Sequence, residues 1–521
     1  MRNSFLQVFL IGCFLLLGAA LFRTQIFQGG YFRSLSDGNR IREVVIHAPR
    51  GIIFDRSGVP LVANLPAFRL AGKTISKEEA IGLEAKGELP EVDVTRSYLF
   101  GEKVAHLIGY VSETESSSGD KVGHGGVEEE YEAKLRGKDG KELVEVDAVG
   151  KRLRTVSTIA PIPGENLTLS IDASLQKVAY EQIAGKAAAV VATDPNTGAI
   201  LALASSPSFD PNVFTDLTRD AIYRSEKIKG IFADPTQPLF DRAISGTYPA
   251  GSTFKIVTAT AGLETGKITA DFTIDDPGIL VIGPYKFPNW KYLRDGGLQG
   301  TINVVSAIQK SNDIFFYETG GLVGQDDLVA WGRRFGLAKP LGVDLPGEAA
   351  GSLPTKFLYL GDVYHLAIGQ GDLLVTPLQV NAWTSVIASG GKLCRPHVLS
   401  YSSNFSHSSN LSYCRDIGIS AKTINLVRQG LVAACSPGGT AWPLFNYKVP
   451  VACKTGTAEY GDPANRTHAW LTAFAPACAE ATAGKACQPT IAVTVLVEGG
   501  GEGDTAAAPL VKKILDQWFS K

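Results

Sequence analysis

The longest apolar run, SFLQVFLIGCFLLLGAALF from Ser4 to Phe22, holds Gln7 as its one strongly polar residue and predicts a helix. At ~1.5 Å per residue, about 19 residues reach about 28 Å, one crossing of a bilayer. No later segment of that length is free of charge, which excludes a multi-span channel or transporter. Such a pattern most often serves as an uncleaved signal anchor, with a three-residue tail inside and everything after Arg23 outside. Two other fates stay open. Gly18-Ala19-Ala20 offers a signal peptidase small residues, and Leu10-Ile11-Gly12-Cys13 resembles a lipoprotein box set in mid-helix. With Arg2 on one flank against Arg23 and Arg33 on the other, flanking charge has little say in orientation.

From Ile41 the period shortens to two. IREVVIHAP and GIIFDRSGVPLVANL read as strands, the latter folded at Asp55-Arg56-Ser57-Gly58, and predict a small β-rich module. Thr114 to Gly126 reads as loop, and Val127 to Leu135 as a charged, solvated helix. Near Gly164 the pattern changes. LTLSID predicts a strand, Asp172 an N-cap and ASLQKVAYEQI a helix. AAAVVATD and AILALASS pair around Pro195-Asn196-Thr197-Gly198, while VPVACKTGTAEY, HAWLTAFAP and IAVTVLVE supply strands near the other end before the amphipathic AAPLVKKILDQWF. Strands at both ends with helix-rich sequence between predict one α/β (α+β) domain whose sheet is assembled from the two ends. The division expected is 1–22 tail and anchor, 23–163 pedestal, 164–521 main domain.

Charge narrows the functional classes. With 50 Lys+Arg against 52 Asp+Glu the chain lacks the basic field that nucleic-acid binding needs, and its 45% hydrophobic content excludes extensive disorder. Cys13 lies in the anchor; Cys394, Cys414, Cys435, Cys453, Cys478 and Cys487 lie toward the C-terminus, where oxidising surroundings would suit them. Local sequence favours Cys478 with Cys487, and six free thiols are the alternative. No Cys-x-x-Cys occurs to support a structural zinc site.

A serine nucleophile needs a base, a rigid mount and oxyanion donors. No Gly-x-Ser-x-Gly elbow is present, but Ser-x-x-Lys, which puts a hydroxyl and an amine on one helix face, occurs at Ser118, Ser174, Ser252 and Ser389. Ser118 sits in a Ser/Gly loop, Ser389 is split from Lys392 by two glycines, and Ser174 opens a helix where polar residues are expected. Ser252 opens GSTFKIVTATAGLETG, apolar on most sides and so buried. Burial there penalises a charged Lys255 and lowers its pKa, making it a usable base. Lys454-Thr455-Gly456-Thr457 follows a strand; lysine offers a cation for a carboxylate, glycine permits close approach, and Thr457 offers a backbone N-H to an oxyanion. Ser311-Asn312-Asp313 lies between the two in sequence, at the start of a helix-like run.

Ser-x-x-Lys, Ser-x-Asp and Lys-Thr-Gly-Thr in that order resemble the penicillin-binding transpeptidases and serine β-lactamases. RGIIFDRSG, GHGGVEEEYEAKLRGKDG, LTLSIDASLQ, AIGQGDLLVTPLQ and HAWLTAFAP extend the likeness over most of the chain, and it resembles the class B penicillin-binding proteins. NRIREVVIHAPRG and KSNDIFFYETGG look like the elongation type. The resemblance implies a penicillin-binding transpeptidase fold with a mainly antiparallel sheet flanked by helices, on a dimerisation-like pedestal. It further implies that Ser252 attacks the penultimate D-alanine carbonyl of a peptidoglycan stem peptide while Lys255 takes its proton. Ser311, with Asp313 in its motif, would relay a proton to the leaving D-alanine; Lys454 with Thr455 or Thr457 would bind the terminal carboxylate beside Gly456; the N-H groups of Ser252 and Thr457 would hold the oxyanion. No metal or organic cofactor is implied. The implied partners are stem peptides, β-lactams, a SEDS-type glycan polymerase and cell-shape scaffold proteins, at the bacterial inner membrane with the catalytic domain outside.

Departures and rivals accompany the resemblance. Asp313 stands where many relatives have asparagine, Ala250 where proline is usual, and the head of the pedestal reads as shortened. About 140 residues before the main domain are too few for a glycosyltransferase domain. A β-lactamase would lack the pedestal, a β-lactam sensor would need an inside output domain, and a non-catalytic scaffold would not need Ser252, Lys255 and Lys454. Gly499-x-Gly501 before a helix imitates a dinucleotide loop, but Asp504 occupies the third glycine's place.

Overall fold

The computed structural model describes residues 2–70, 73–85, 90–113, 120–147, 152–215, 221–400, 413–477 and 488–520. Helix α1 (Arg2–Phe22) leaves Phe5, Phe14 and Leu16 exposed, and the stretch Ser4–Phe27 is long and apolar enough to cross a membrane. After it, Ile41–Ile46, Gly140–Val146 and Arg152–Ile159 form a three-stranded antiparallel sheet. A second sheet is built on Pro60–Leu70, paired antiparallel with Glu91–Tyr98 and with Ile53–Phe54. The predicted turn between Ile53–Phe54 and Pro60–Leu70 is real. Asp55 Oδ1 accepts from Ser57 N, Ser57 Oγ and Val59 N at 2.8, 2.7 and 2.8 Å, and Gly58 takes φ +89°.

The pedestal departs from expectation in three places. Val127 to Leu135 is not a solvated helix: it forms two short helices, Gly126–Glu130 and Glu132–Leu135, and Glu128 is fully buried between Arg50 and Arg96. Two arginines brought from distant segments compensate a carboxylate whose own helix looks like a surface one. Lys121–His124, within the expected loop, is a strand paired with Tyr110–Glu113. The LTLSID strand is also shorter than expected, Leu167–Thr168, and it joins the pedestal sheet in parallel with Ile53–Phe54.

The main domain is layered around five strands: β1 (Ala188–Thr193), β2 (Ile200–Ser206), β3 (Ala452–Glu459), β4 (Thr467–Ala475) and β5 (Ile491–Val497). Their order is β2-β1-β5-β4-β3, antiparallel throughout, so the chain's two ends do share one sheet and β3 is its edge. The helices that frame it are α2 (Ala173–Ile183), α3 (Lys255–Glu264), α4 (Val304–Lys310), α5 (Asp313–Val323), α6 (Pro377–Ala388), α7 (Ala421–Ala434) and α8 (Ala508–Trp518). Leu175, Ile183, Val511 and Ile514 cover one face of the sheet, while Val380, Trp383 and Ile387 of α6 cover the other. Covered on both faces, the strands read as apolar runs instead of alternating ones. Asp172 caps α2 as expected, accepting from Leu175 N at 3.0 Å.

Two disulfides cross-link this domain. Cys394–Cys414 ties the strand Lys392–Cys394 to Cys414–Asp416, and Cys435–Cys453 ties the end of α7 to β3. Those four cysteines are therefore not free thiols. The favoured pair, Cys478 with Cys487, lies outside the described residues.

Candidate active site

Ser252 lies in a tight 3-10 turn, Gly251–Phe254, which runs straight into α3. The predicted single helix is thus split, with the serine on its entry turn and Lys255 as the first α-helical residue. Two glycines make the turn possible. Gly251 has φ +52°, and a Cβ there would come 2.9 Å from Thr457 O on β3. Gly369, in the AIGQGD segment, approaches so closely that its Cβ would lie 2.1 Å from Gly251 O. Thr253 and Phe254 are buried, and Thr253 Oγ1 donates to Ala250 O at 2.8 Å, leaving half-buried Ser252 facing the cleft.

Lys255 is fully buried. Its Nζ donates to Asp313 Oδ1 at 2.6 Å, Ser311 O at 2.9 Å and Ser311 Oγ at 3.4 Å, with the Phe316 ring centroid 5.4 Å away. No hydrogen bond joins it to Ser252 Oγ among the described residues, because an ammonium favours a carboxylate and a carbonyl over a neutral hydroxyl. Burial pulls its pKa below the ordinary lysine value, and Asp313 opposes that pull.

The middle motif joins two helices. Ser311 ends α4 in the left-handed region, φ +53°, and Asn312 caps α5 by accepting from Phe315 N at 2.7 Å. This sharp reversal presents Ser311 Oγ toward both lysines. Lys454 on β3, also fully buried, donates to Ser311 Oγ at 2.7 Å and Thr455 O at 2.9 Å. Burial first, and then the charge of Lys255, hold Lys454 well below the lysine range, against Asp313. Thr455 Oγ1 bonds Thr440 Oγ1 at 2.8 Å. Gly456 must be small, since a Cβ there would meet Thr253 Cγ2 at 3.0 Å and Trp470 Cβ at 3.1 Å.

Ser252, Ser311, Asp313, Thr455 and Thr457 line one cleft of 1210 Å³, with Trp290, Tyr317 and Trp442. The decoys go elsewhere. Ser174 Oγ donates to Asp172 Oδ1 at 2.7 Å and Ser389 Oγ to Lys392 O at 2.9 Å, both local turn bonds. Ser118 lies outside the described residues. The dinucleotide-like glycines, Gly499 and Gly501, take φ +59° and +85° in the turn that follows β5. Sequence reasoning missed Asp276, Asn289, Trp290 and Gln299, which surround the middle motif; they belong to no recognisable spacing, and only their meeting in the fold unites them. It also missed Thr440, which follows Gly438-Gly439 in an ordinary loop.

Chemically, a hydroxyl facing an open cleft, a second hydroxyl in the cleft wall held between two buried amines, and an edge strand along it suit acyl transfer on an extended peptide. Comparisons with known proteins agree. The family model described as penicillin binding protein transpeptidase domain matches residues 188–516, and that described as Penicillin-binding Protein dimerisation domain matches 70–169. The Peptidoglycan D,D-transpeptidase MrdA of Acinetobacter baumannii is 32% identical, covering 99% of this chain and 87% of that protein. The structure of a complex between Penicillin-Binding Protein (PBP2) and MreC from Helicobacter pylori aligns with TM-score 0.78 at 27% identity over 92% of this chain and 99% of that one. A structure described as structural coordination of polymerization and crosslinking by a peptidoglycan synthase complex aligns with TM-score 0.78 at 27% identity, over 100% of this chain and 98% of that one.

Proposed function

Because the chain belongs to the class B, elongation-type penicillin-binding proteins, we propose that it is a peptidoglycan D,D-transpeptidase acting through Ser252 during wall elongation. The observation that carries the residue assignment is the convergence of Lys255 and Lys454, both fully buried, on Ser311 Oγ at the wall of the cleft that Ser252 faces. Ser252 Oγ attacks the penultimate D-alanine carbonyl as its proton passes to neutral Lys255. Rotation of the amine from Asp313 to Ser252 accompanies that transfer. The N-H groups of Ser252 and Thr457 receive the oxyanion. Collapse breaks the amide bond and expels D-alanine, whose nitrogen takes a proton through Ser311 from the lysine pair. Thr455, Thr457 and Lys454 hold the terminal carboxylate before it leaves, and Gly456 lets the peptide lie against β3. An amine of a second stem peptide then attacks the ester, forms the cross-link and returns Ser252 to its hydroxyl. Penicillin, a strained mimic of the D-Ala-D-Ala end, opens on Ser252 and stays.

The proposed division is anchor 1–22, pedestal 23–163 and transpeptidase domain 164–521. The N-terminal span and the relatives support a membrane-anchored enzyme. The two disulfides favour an outward-facing catalytic domain at the inner membrane, since such cross-links persist in oxidising compartments. The MreC complex and the synthase-complex structure support a cell-shape scaffold and a SEDS-type glycan polymerase as partners. Labelling with fluorescent penicillin followed by peptide mapping tests the reading: the adduct is expected on Ser252, and Ser252→Ala is expected to fold and not label. An adduct on another serine, or undiminished labelling of S252A, sinks the assignment.

A further inference from the structure

Beneath the Ser311-Asn312-Asp313 turn lies a buried carboxylate that the chemistry above leaves unused. Asp276 is 5% exposed and packs against Asn289 and Asn312, both fully buried. Its Oδ2 accepts from Asn289 Nδ2 at 2.7 Å, Asn312 Nδ2 at 3.0 Å and Gln299 N at 3.1 Å, and its Oδ1 from Gly278 N at 2.8 Å. Both asparagine amides also donate to Gln299 Oε1, at 3.3 and 2.8 Å. Their oxygens face the other way. Asn312 Oδ1 closes the first turn of α5, while Asn289 Oδ1 accepts from Asp313 N at 3.3 Å. Trp290 N, next in the chain, donates to Asp313 Oδ2 at 2.8 Å, which leaves Oδ1 for Lys255 at 2.6 Å.

We propose that Asp276 is a positioning residue for the transpeptidase: its carboxylate, acting through Asn289 and Asn312, fixes Asp313 where it anchors Lys255. A buried carboxylate is tolerable only with several N-H donors, and here four converge on it. With their N-H groups committed to Asp276, both asparagines can present only oxygens to the start of α5. That polarity orients the Asp313 backbone and hence its side chain. An amide at position 276 would turn an NH2 toward at least one of these donors and break the polarity without changing the side chain's size. The inference rests on Lys255 being the base.

The test is Asp276→Asn in the full chain, following acylation by fluorescent penicillin against pH. Of the charged side chains, Asp313 on α5 and Lys454 on β3 face Lys255. A displaced Asp313 no longer stabilises the ammonium, so the rising limb of the profile moves to lower pH while the plateau rate falls about 10²-fold, as for a misplaced catalytic group. Asp275→Asn, at the exposed neighbour, leaves both unchanged. An unmoved limb, with any rate loss matching the unfolded fraction in a melting curve, reduces Asp276 to a structural role and overturns the proposal. Should D276N fail to fold, Asn289→Ala keeps the charge, removes the acceptor for Asp313 N and decides on the same limb. Failure of the base assignment would show separately, as Lys255→Ala labelling at the wild-type rate whatever D276N does.

Discussion

Two lysines share one hydroxyl at the centre of this site, with Lys255 Nζ 3.4 Å and Lys454 Nζ 2.7 Å from Ser311 Oγ. Both amines are fully buried, which makes each easier to deprotonate than a lysine in water; for Lys454 the charge of Lys255 adds to this, and for both Asp313 opposes it. With neutral Lys255 as the proposed base and burial pulling its pKa below the ordinary lysine value, acylation is expected to rise with pH along a limb below the lysine range of about 10.5. A limb centred at or above that value would count against Lys255 as base. Lys255→Ala should slow acylation by roughly 10²–10⁴-fold, the usual worth of general base catalysis, with the melting temperature reporting whether the fold survives. At this scale the sequence was informative about Lys255, because an apolar helix around a lysine forecasts its burial. It was silent on the Asp313 contact, since nothing in SND says which cation the aspartate meets.

Among the elements, the edge strand β3 and the turn that carries Ser252 act as a pair. Gly251 and Gly456 allow them to touch, and Cys435–Cys453 holds β3 to α7 one residue before Lys454. Cys435 and Cys453 are 18 residues apart, and a loop of that size is stabilised by about 3 kcal/mol when closed, by the chain-entropy account. A Cys435→Ser, Cys453→Ser double variant should therefore unfold at lower denaturant concentration by about that free energy, and reductant should shift the wild type in the same direction. Equal midpoints for variant and wild type would show that packing alone holds the strand. The five strands were legible as apolar runs and hairpin turns. The pairs Cys394–Cys414 and Cys435–Cys453 were not, because each bond forms between groups that only packing brings together.

Across the whole molecule the pedestal and the transpeptidase domain are joined by polar contacts as well as by core. Asp55 Oδ2 accepts from Ala173 N at 3.1 Å, so the pedestal's turn meets the first turn of α2. Tyr131 Oη donates to Asp344 Oδ2 at 2.7 Å, and that aspartate also accepts from Val398 N and Leu399 N at 2.6 and 3.0 Å. Ile53 and Leu61 share one apolar cluster with Leu169, Val191 and Leu203. Within the pedestal, Glu128 binds Arg50 at 2.7 Å and Arg96 at 2.7 Å, all three buried. Removing one member of a buried ion cluster strands the rest, so Glu128→Ala should cost about 3–5 kcal/mol in denaturant unfolding. A loss below about 1 kcal/mol, the surface-pair range, would mean that water reaches the arginines.

What the sequence determined by itself was whatever depends on neighbours along the chain: the membrane-length helix, the apolar strands, the cap at Asp172, and a lysine three residues after a serine in an apolar run. Tertiary structure alone decided that Lys454 reaches Ser311 across 143 positions, that Lys255 lies against Asp313 and not Ser252, and that Glu128 is a core residue. Hydrophobic periodicity is a local property and can be read in order. The burial and pairing of charge depend on which distant side chains arrive at the same place, and only the folded chain specifies that.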